Sequence, residues 1–513
     1  MPVQHSSPSD LFEVSTSGNG NGAKGAAVNR AGQVLRFAIF LLLILFAILL
    51  PHSIKGAQDT WRLAFLLWLM KLAIERKQPH DQPLTLPLLV YVVGSGISTV
   101  LSPYPYLSWD RMKIVCLVLV GTLFAQNLQR LKQIRVLVTL LILSGVVAAG
   151  FTAWQYTYGL GLGVAFIVPQ SPLYHANIHL DDIITKVDGQ VVRNELQFRS
   201  IAEQKPSGSM LRIEYLRGFP LHKWETFLTR DELIASLGAS NVQFARGKPF
   251  RAQGTLGHYV VFAEVLMQVA CMAWALLLSS DGKRSRWRAA IALVFVALTI
   301  ALFLTETRAA LGGLSAGCFV VLLVLSGKRS RIWATAALAG VLIASAFWIH
   351  HTRGAQWLGT NDLGTSFRIM MWHDAPRVIE QHPWFGLGME AIRVEWEELH
   401  IRAYPFFHYQ SHFHSDMIQV AVERGLITLA GWLWFVTAYF VFLIRLIAKA
   451  AQRSRFATGV VAGVLGSFVA YQITALVHYN LGLESVAMVL FFYFGLAVAI
   501  ERMLREPEAI DVR

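Results

Sequence analysis

Long apolar blocks alternate with short polar connections along most of the chain. Twelve such blocks can be distinguished, near residues 36–51, 61–75, 84–101, 112–127, 134–157, 255–279, 288–305, 309–326, 332–350, 425–446, 457–478 and 485–502. A helix that crosses the hydrocarbon core of a bilayer needs roughly 20 apolar residues. The pattern therefore predicts an α-helical polytopic membrane protein with about twelve transmembrane helices.

Basic residues mark every second connection between these blocks. They are Arg30 and Arg36; Lys71, Arg76 and Lys77; Arg130, Lys132 and Arg135; Lys283, Arg284, Arg286 and Arg288; Lys328, Arg329 and Arg331; Arg445, Lys449, Arg453 and Arg455; and Arg502 and Arg505. Lysine and arginine concentrate in the cytoplasmic loops of membrane proteins. Placing all of these clusters inside gives one consistent topology, with both termini in the cytoplasm.

Composition agrees with a lipid-solvated chain. Of the 513 residues, 55% are hydrophobic and only 15% are charged. The net charge of +13 comes from the short clusters between apolar blocks and not from one soluble basic surface, which disfavours nucleic-acid binding. The three cysteines, Cys116, Cys271 and Cys318, lie inside apolar blocks and form neither a disulfide framework nor a zinc spacing.

The topology divides the chain into cytoplasmic, membrane and extracytoplasmic parts. The predicted parts are a disordered cytoplasmic tail at 1–35, helices 1–5 in 36–157, a small folded domain at 158–232, an outer linker at 233–253, helices 6–9 in 254–350, a large outer loop at 351–424, helices 10–12 in 425–505 and a cytoplasmic tail at 506–513. The Ser-, Gly- and Asn-rich tail has no apolar period. The outer side therefore holds the soluble folded material.

The first outer insert has the pattern of a small α+β domain. Short β-branched and aromatic runs, at 164–168, 183–187, 211–216 and 224–228, alternate with turn signals such as Asp188-Gly189. A helix is predicted over 195–204, before Lys205-Pro206.

These residues resemble the PDZ family, with Leu180–Gln190 similar to the PDZ core of envelope proteases. The run Gly159, Leu160, Gly161, Leu162 and Gly163 resembles the glycine-rich loop that binds a peptide carboxylate. The resemblance implies that a peptide C-terminus can add to the sheet edge. Asp181 departs from the family, which often has glycine there, and a structural spacer that binds no peptide is the alternative.

Two arginines stand out on the outer side. Arg308 stands where a connection enters an apolar block, and a charge there is costly unless it is paired or lines a wet cavity. The alternative for Arg308 is a snorkelling interface arginine. Arg368 shares one helical stripe with Trp372 and Ile379, and its alternative role is a solvated surface charge.

Two histidines stand at the outer mouth of the tenth block. His412 and His414 can act as metal ligands, a catalytic base or packing residues, and His-x-His alone is weak evidence for a metal. If the stretch is already helical, their rings point to different sides and only one faces a substrate. We expect His412 to be a packing residue. Glu306 and Glu484, at the membrane edge, are expected to pair with the arginines.

Together these segments resemble the O-antigen ligase and polymerase family of bacterial envelope glycosyltransferases. The matching motifs are Thr307-Arg308-Ala309-Ala310-Leu311-Gly312, the segment from Arg368 through Trp372 to His382-Pro383 and Gly386-Leu387-Gly388, the pair His414-Ser415 followed by Gly425, and the corner from His478 to Ser485. A second glycine, often found three residues after Gly425, is Thr428 here.

The resemblance implies a function. The donor is a glycan on undecaprenyl pyrophosphate at the periplasmic face of the bacterial inner membrane, and the reaction inverts the anomeric carbon without a metal or cofactor. Arg308 and Arg368 then bind the pyrophosphate, since arginine forks suit phosphate oxygens. His414 then serves as the base, because the pKa of an unperturbed imidazole lies near neutral pH. His412, Glu306, His478 and Glu484 are possible supporting residues.

The motifs leave the acceptor open. A ligase transfers the glycan to lipid A–core, a polymerase transfers it to another repeat unit, and a protein-glycosylating relative transfers it to Ser or Thr. The His414-Ser415…Gly425 spacing favours the ligase, whereas the PDZ-like insert favours a protein partner. A membrane scaffold or transporter with a peptide-binding PDZ domain is the alternative of another class, although no internal repeat of broken spans is visible.

Overall fold

A computed structural model describes most of the chain. The described residues are 22–76, 78–217, 222–237, 241–247, 251–280, 285–327, 363–402 and 412–505, with the separate residues 332, 336, 339, 340 and 343. The predicted tail at 506–513, most of the predicted tail at 1–35 and most of the block at 332–350 lie outside these residues. The chain divides into two compact units, one of residues 1–145, 264–299 and 308–513 and one of residues 146–263 and 300–307.

Helices dominate the described residues. In chain order they are α1 (Gly22–Leu49), α2 (Ile54–Glu75), α3 (Thr85–Leu101), α4 (Pro105–Val115), α5 (Val118–Asn127), α6 (Leu131–Tyr158), α7 (Pro172–His175), α8 (Glu195–Glu203), α9 (Arg230–Ser236), α10 (Tyr259–Ser279), α11 (Ser285–Leu304), α12 (Arg308–Leu325), α13 (Leu363–Gln381), α14 (Ala391–Glu395), α15 (Asp416–Ala451), α16 (Arg455–Ala475) and α17 (Glu484–Arg505).

Eight of these helices are long and apolar enough to cross a membrane: α1, α6, α10, α11, α12, α15, α16 and α17. They correspond to eight of the twelve predicted blocks, which supports a multi-pass membrane protein. Of the other blocks, α2 is less apolar, α3 has only 17 residues, and block 112–127 is divided between α4 and α5. The ninth block, 332–350, falls mostly outside the described residues, so the count of twelve remains a prediction.

Small residues bring α12 and α16 close together. A Cβ atom on Gly317 would lie 2.4 Å from the carbonyl oxygen of Gly466, and one on Gly313 would lie 2.9 Å from that of Ala470. Helices in lipid associate through such close backbone contact, because lipid is as apolar as the helix surfaces and the hydrophobic effect does not drive the helices together. This contact sets the Arg308 end of α12 beside the Ala475 end of α16.

The second unit contains a six-stranded sheet. Its strands are β1 (Gly161–Ile167), β2 (Ile183–Val187), β3 (Gln190–Val191), β4 (Met210–Arg217), β5 (His222–Thr229) and β6 (Val242–Gly247). The order is β5-β4-β2-β1-β6, and β3 pairs with β2. Apolar residues from β1, β2, β4 and α8 form its buried core, including Val164, Ile184, Phe198 and Ile213. The predicted strands and the predicted helix at 195–204 are present with small shifts of their ends.

Two expectations for the insert are wrong. The segment 233–253 was expected to be a linker, but β6 lies within it and pairs antiparallel with β1. The glycine run was expected to form a loop, but Gly161 and Gly163 lie in β1 and only Gly159 and Leu160 precede it. Both edges of β1 are paired, with β2 on one side and β6 on the other.

The glycines of β1 allow these strands to approach closely. A Cβ on Gly161 would lie 2.2 Å from the carbonyl oxygen of Ile184, and one on Gly163 would lie 2.8 Å from the Cα of Gly247. The glycines thus have a packing role in the sheet, where a side chain would separate the strands.

Candidate functional site

A break inside α15 organises the region around the two histidines. Gly425 has φ 77° and ψ 173°, so the helix that begins at Asp416 is interrupted there and resumes toward Ala451. The sequence analysis placed the start of this helix at 425, whereas the structure starts it at Asp416. The break frees backbone groups that a continuous helix would pair, and these need other partners.

The segment from His382 to Gly388 supplies those partners. Leu387 and Gly388 donate their N–H groups to the carbonyl oxygens of Val422 and Glu423, at 2.9 and 2.8 Å. The N–H of Leu426 donates to the carbonyl oxygen of Pro383 at 2.8 Å. The motif His-Pro-x-x-Gly-x-Gly therefore supplies hydrogen-bond partners for the backbone groups that the break in the helix leaves unpaired.

Glycine is required at this contact for two reasons. Gly386 has φ 68°, and a Cβ there would lie 2.3 Å from the carbonyl carbon of Glu423. A Cβ on Gly425 would lie 2.2 Å from the carbonyl oxygen of Trp384. Both the left-handed backbone and the close approach exclude a side chain.

Thr428, which stands where a second glycine is often found, lies against Gly94. A Cβ on Gly94, in α3, would lie 2.4 Å from the hydroxyl oxygen of Thr428. Thr428 donates that hydroxyl to the carbonyl oxygen of Arg424 at 2.8 Å. The space that Thr428 takes is therefore provided by Gly94.

Phe413 fixes the position of both histidines. Its ring is fully buried, its N–H donates to the side-chain oxygen of Gln419 at 2.6 Å, and its carbonyl oxygen accepts from the indole N–H of Trp372 at 2.8 Å. Trp372 lies on α13 one turn after Arg368. The hydrogen bond to Phe413 therefore joins the Arg368 helix to the histidine segment.

The rings of His412 and His414 lie side by side, with centroids 4.2 Å apart. The prediction that the rings point to different sides holds only for a helical stretch, and this stretch is not helical. The helix starts only at Asp416, and His414 has a positive φ of 52°. A left-handed histidine carries strain of order 1–3 kcal/mol, which persists only where the surroundings impose it.

The environment of His414 favours the neutral imidazole. Burial, which is the largest cause, and the nearby His412, Arg368 and His478 together lower the pKa of His414 to about 2. The structure therefore brings together four of the residues named from sequence, three histidines and one arginine.

A buried acid, Glu264 on α10, holds His478 in place. One carboxylate oxygen lies 2.8 Å from Nδ1 of His478, and the other accepts the hydroxyl of Thr474 at 2.7 Å. Asn480 donates to the same hydroxyl at 2.7 Å. Sequence reasoning missed Glu264, although an acid inside an otherwise apolar block is itself a signal of a functional or structural pairing.

Asp416 connects the histidine segment to the corner that contains His478. One of its carboxylate oxygens accepts the N–H of Leu481 at 2.9 Å, and the other accepts the hydroxyl of Tyr471 at 3.0 Å. Asp416 is buried, so these two hydrogen bonds satisfy a carboxylate that water does not reach. The corner and the start of α15 are thereby held together.

A second residue that sequence reasoning did not assign to the site is Arg424. Its guanidinium is fully buried and donates to the hydroxyls of Tyr91 and Tyr479, the latter at 2.9 Å. Burial raises the pKa of Tyr479, so its phenol stays protonated at neutral pH. The adjacent Glu423 accepts the N–H of Glu390 at 2.8 Å.

The remaining residues named from sequence are Arg308, Glu484 and Glu306. Arg308 is the first residue of α12, at the end of that helix where Gly313 contacts Thr474. Glu484 accepts a hydrogen bond from the amide of Gln58, so its partner is not an arginine as expected. Glu306 lies in the second unit, in the turn before α12, with φ 50°.

Within the described ranges, no group of three or more histidine, cysteine, aspartate or glutamate side chains is arranged to hold a metal ion. The site is built from imidazoles, guanidinium groups and three buried carboxyl groups, those of Glu264, Asp416 and Glu423, which already have hydrogen-bond partners. Such groups can bind an anion, orient a hydroxyl and accept a proton.

The long apolar helices and the buried polar site define a multi-pass membrane protein with a site suited to group transfer. Residues 291–433 match the O-antigen ligase family. This part of the chain includes Arg308, Arg368, His414 and Gly425, so the match supports the resemblance to the O-antigen ligase family over these residues. The match supports a glycosyl-transferring, ligase-like role in a membrane. None of the curated proteins matches the chain.

Proposed function

We propose that the chain is an O-antigen ligase-like glycosyltransferase of the bacterial inner membrane. It moves a glycan from undecaprenyl pyrophosphate to an acceptor hydroxyl at the periplasmic face, with lipid A–core as the first candidate acceptor. The observation that carries the proposal is the hydrogen bond from Trp372 to Phe413, which brings Arg368 beside the paired rings of His412 and His414. The match over residues 291–433 supports the same chemistry.

The proposed reaction is a single displacement. The acceptor oxygen attacks the anomeric carbon while its proton passes to His414. The bond from that carbon to the pyrophosphate oxygen breaks, and its electron pair leaves with undecaprenyl pyrophosphate. Arg308 and Arg368 stabilise the negative charge that develops on the leaving group, as guanidinium forks do for phosphate oxygens. The anomeric configuration inverts.

The low pKa of His414 fits an ordered reaction. A neutral imidazole has a free lone pair, but an imidazole of such low basicity is a weak base. A bound pyrophosphate places negative charge beside Arg368, which opposes the effect of that cation and favours the imidazolium. Donor binding therefore raises the basicity of His414, and the proton transfer follows donor binding.

Glu264 and His478 support this step. A carboxylate that accepts from Nδ1 fixes the orientation of the imidazole ring. His478 is near enough to His414 to affect its pKa. We assign Glu264 and His478 a positioning role. Together they set the electrostatic field around His414 when its imidazolium forms.

The acceptor remains a choice among three molecules. Polymerisation onto a second lipid-linked repeat and transfer to a protein hydroxyl need the same arginine and histidine groups as ligation to lipid A–core. The insert, which we propose folds as a PDZ-like domain, is relevant to transfer to a protein, because a PDZ domain can bind a protein partner. A C-terminal peptide that adds to β1 has to displace β6, because both edges of β1 are already paired. This pairing favours a structural role for the insert.

The decisive experiment supplies the purified protein in nanodiscs with a radiolabelled glycan on undecaprenyl pyrophosphate. Lipid A–core, a second lipid-linked repeat unit and an unstructured Ser/Thr-rich polypeptide are offered separately, and the labelled product is identified. Transfer to lipid A–core supports the ligase, and transfer to either other acceptor replaces it with the corresponding alternative. Absence of binding to undecaprenyl pyrophosphate would refute the donor assignment. Replacing residues 160–247 by a short Gly/Ser linker tests the insert, and an unchanged acceptor identifies it as a spacer.

A further inference from the structure

A partly enclosed cavity of about 170 Å³ lies beside the histidine pair. Its polar lining consists of Arg111, Glu390, His412, Glu423 and Tyr479. His412 forms part of the wall, and its ring contacts that of His414. A molecule in this cavity is therefore separated from the proposed base by one imidazole.

The acidic and basic groups of the cavity are held in place. Arg111 and Glu390 form an ion pair at 2.8 Å, and the N–H of Glu390 donates to a carboxylate oxygen of Glu423 at 2.8 Å. Glu390 has a left-handed backbone with φ 64°, a conformation that a non-glycine residue keeps only when the surrounding contacts impose it. The lining is thus preorganised before any ligand enters.

Tyr479 adds a hydrogen-bond donor to the wall. Its hydroxyl oxygen accepts from the buried guanidinium of Arg424 at 2.9 Å. A phenol that accepts in this way still has its own proton to donate. Arg424 also binds Tyr91, so the position of the guanidinium is fixed from two sides.

The charge of the lining selects the kind of ligand. The positive charge of Arg111 is compensated by Glu390, and Glu423 adds a second carboxyl group, so the lining has no excess positive charge. A pyrophosphate needs such an excess, which the proposed function assigns to Arg308 and Arg368 outside this cavity. Carboxylates, a guanidinium and a phenol side by side instead match the hydroxyl groups of an uncharged sugar ring.

We propose that this cavity is a sugar subsite in which Arg111, Glu390 and Tyr479 hold a hydroxyl-bearing ring next to His412 and His414. This proposal rests on the proposed glycosyltransferase function and deepens it. The ring comes either from the donor, as the first sugar on the pyrophosphate, or from the acceptor. The two sources share one chemistry, and the experiment separates them.

The test uses the variants Arg111→Gln and Tyr479→Phe in the full-length protein. Lys113→Gln and Tyr106→Phe are matched controls on the same helix as Arg111, because Lys113 pairs with Asp110 at an exposed position and Tyr106 is 70% exposed. Three quantities are measured: the Kd for undecaprenyl pyrophosphate, the Kd for the same lipid with one N-acetylhexosamine attached, and the KM for the acceptor that wild-type protein uses.

If the donor sugar occupies the cavity, each variant weakens binding of the sugar-bearing lipid about tenfold and leaves that of the sugar-free lipid unchanged, since one hydrogen bond is lost. If the acceptor sugar occupies it, both lipid Kd values stay unchanged and the acceptor KM rises about tenfold. Either result supports the subsite.

Values within twofold of wild type for all three quantities would overturn the subsite while leaving the proposed function intact. Equal weakening of both lipids would also overturn it, because the residues would then serve the pyrophosphate or the fold. Failure of wild-type protein to bind either lipid would instead remove the proposed function itself, so the two failures are distinguishable.

Discussion

The imidazole Nδ1 of His478 lies 2.8 Å from a carboxylate oxygen of Glu264, a residue 214 positions earlier in the chain. Glu264 has no exposed surface, and His478 is also buried. A buried acid is tolerated in an apolar helix only when it is hydrogen-bonded, and here three side chains of one corner provide those bonds. The relationship ties α10 to the region that holds the proposed base.

The first prediction concerns this pair. Glu264→Gln is expected to lower kcat about tenfold and to leave the donor Kd unchanged, because the amide keeps the shape of the carboxylate but not its charge. His478→Gln should have a similar effect. If the two residues act as one unit, the double variant is no worse than either single variant. Glu380→Gln, at an exposed position on α13, is the control, and additive losses would show that the residues act separately.

The second prediction separates the two adjacent histidines. His414→Gln is expected to reduce glycan transfer by about 10²–10⁴-fold, the usual range for loss of a general base. His412→Gln should reduce transfer less, since His412 contacts His414 and lines the cavity without accepting the proton. Transfer is measured with a labelled lipid-linked glycan, and the exposed His222→Gln serves as the control. A larger loss in His412→Gln would reassign the base.

The third prediction tests the arginine forks. Arg308→Lys and Arg368→Lys are each expected to weaken the donor Kd or lower kcat by about tenfold or more, because a lysine ammonium provides charge without the bidentate geometry. Arg62→Lys is the matched control, since Arg62 is a partly exposed arginine that pairs with Asp59 on α2. Wild-type behaviour of Arg368→Lys would indicate that charge alone is needed at that position.

The fourth prediction follows from the low pKa of His414. In the folded protein this histidine stays neutral, whereas in the unfolded chain it binds a proton below about pH 6.5. The unfolded state therefore binds more protons at low pH, and stability is lost as the pH falls below about 6.5. The effect amounts to about 2 kcal/mol at pH 5.

Thermal unfolding in detergent at pH 7.5 and pH 5 measures this effect. The loss of stability between the two values should be smaller in His414→Gln than in wild-type protein, because glutamine does not titrate. The exposed His222→Gln should show the wild-type loss. Equal losses in all three proteins would contradict the low pKa.

The fifth prediction concerns the break in α15. Gly425→Ala is expected to destabilise the protein by more than about 2 kcal/mol, because its Cβ would overlap the carbonyl of Trp384 and its backbone is left-handed. Gly312→Ala is the matched control, since Gly312 lies within α12 with no atom within 4 Å of the added Cβ. Alanine should there be neutral or stabilising by up to about 1 kcal/mol. A similar melting temperature for both variants would refute the contact.

The fold could be predicted where the information is local. Apolar blocks of sufficient length indicate membrane helices, and the strands of the insert follow from alternating β-branched runs and turn dipeptides such as Asp188-Gly189. The same rules fail at block 112–127, which is mostly apolar but breaks between α4 and α5. Hydropathy reports burial or lipid contact along the chain, and it does not report where a helix ends.

The candidate site could be named from sequence but not assembled from it. Arg308, Arg368 and His414 stand out because charged and titratable residues are rare and costly beside apolar blocks. Their spacing does not reveal that the indole of Trp372 binds the carbonyl of Phe413, or that the two imidazoles lie in contact. Those facts depend on where α15 begins, and that boundary follows from packing against other segments.

The sequence by itself determined the membrane class, the outline of the insert and the identity of the candidate arginines and histidines. Each of these follows from composition, periodicity or short motifs, which act within one turn or one strand. Only the tertiary structure decided that Glu264 holds His478, that β6 closes the edge of β1, and that Gly386 and Gly425 meet. These contacts join residues far apart in the chain, and they form because buried polar groups and freed backbone groups must find partners wherever the packed helices provide them.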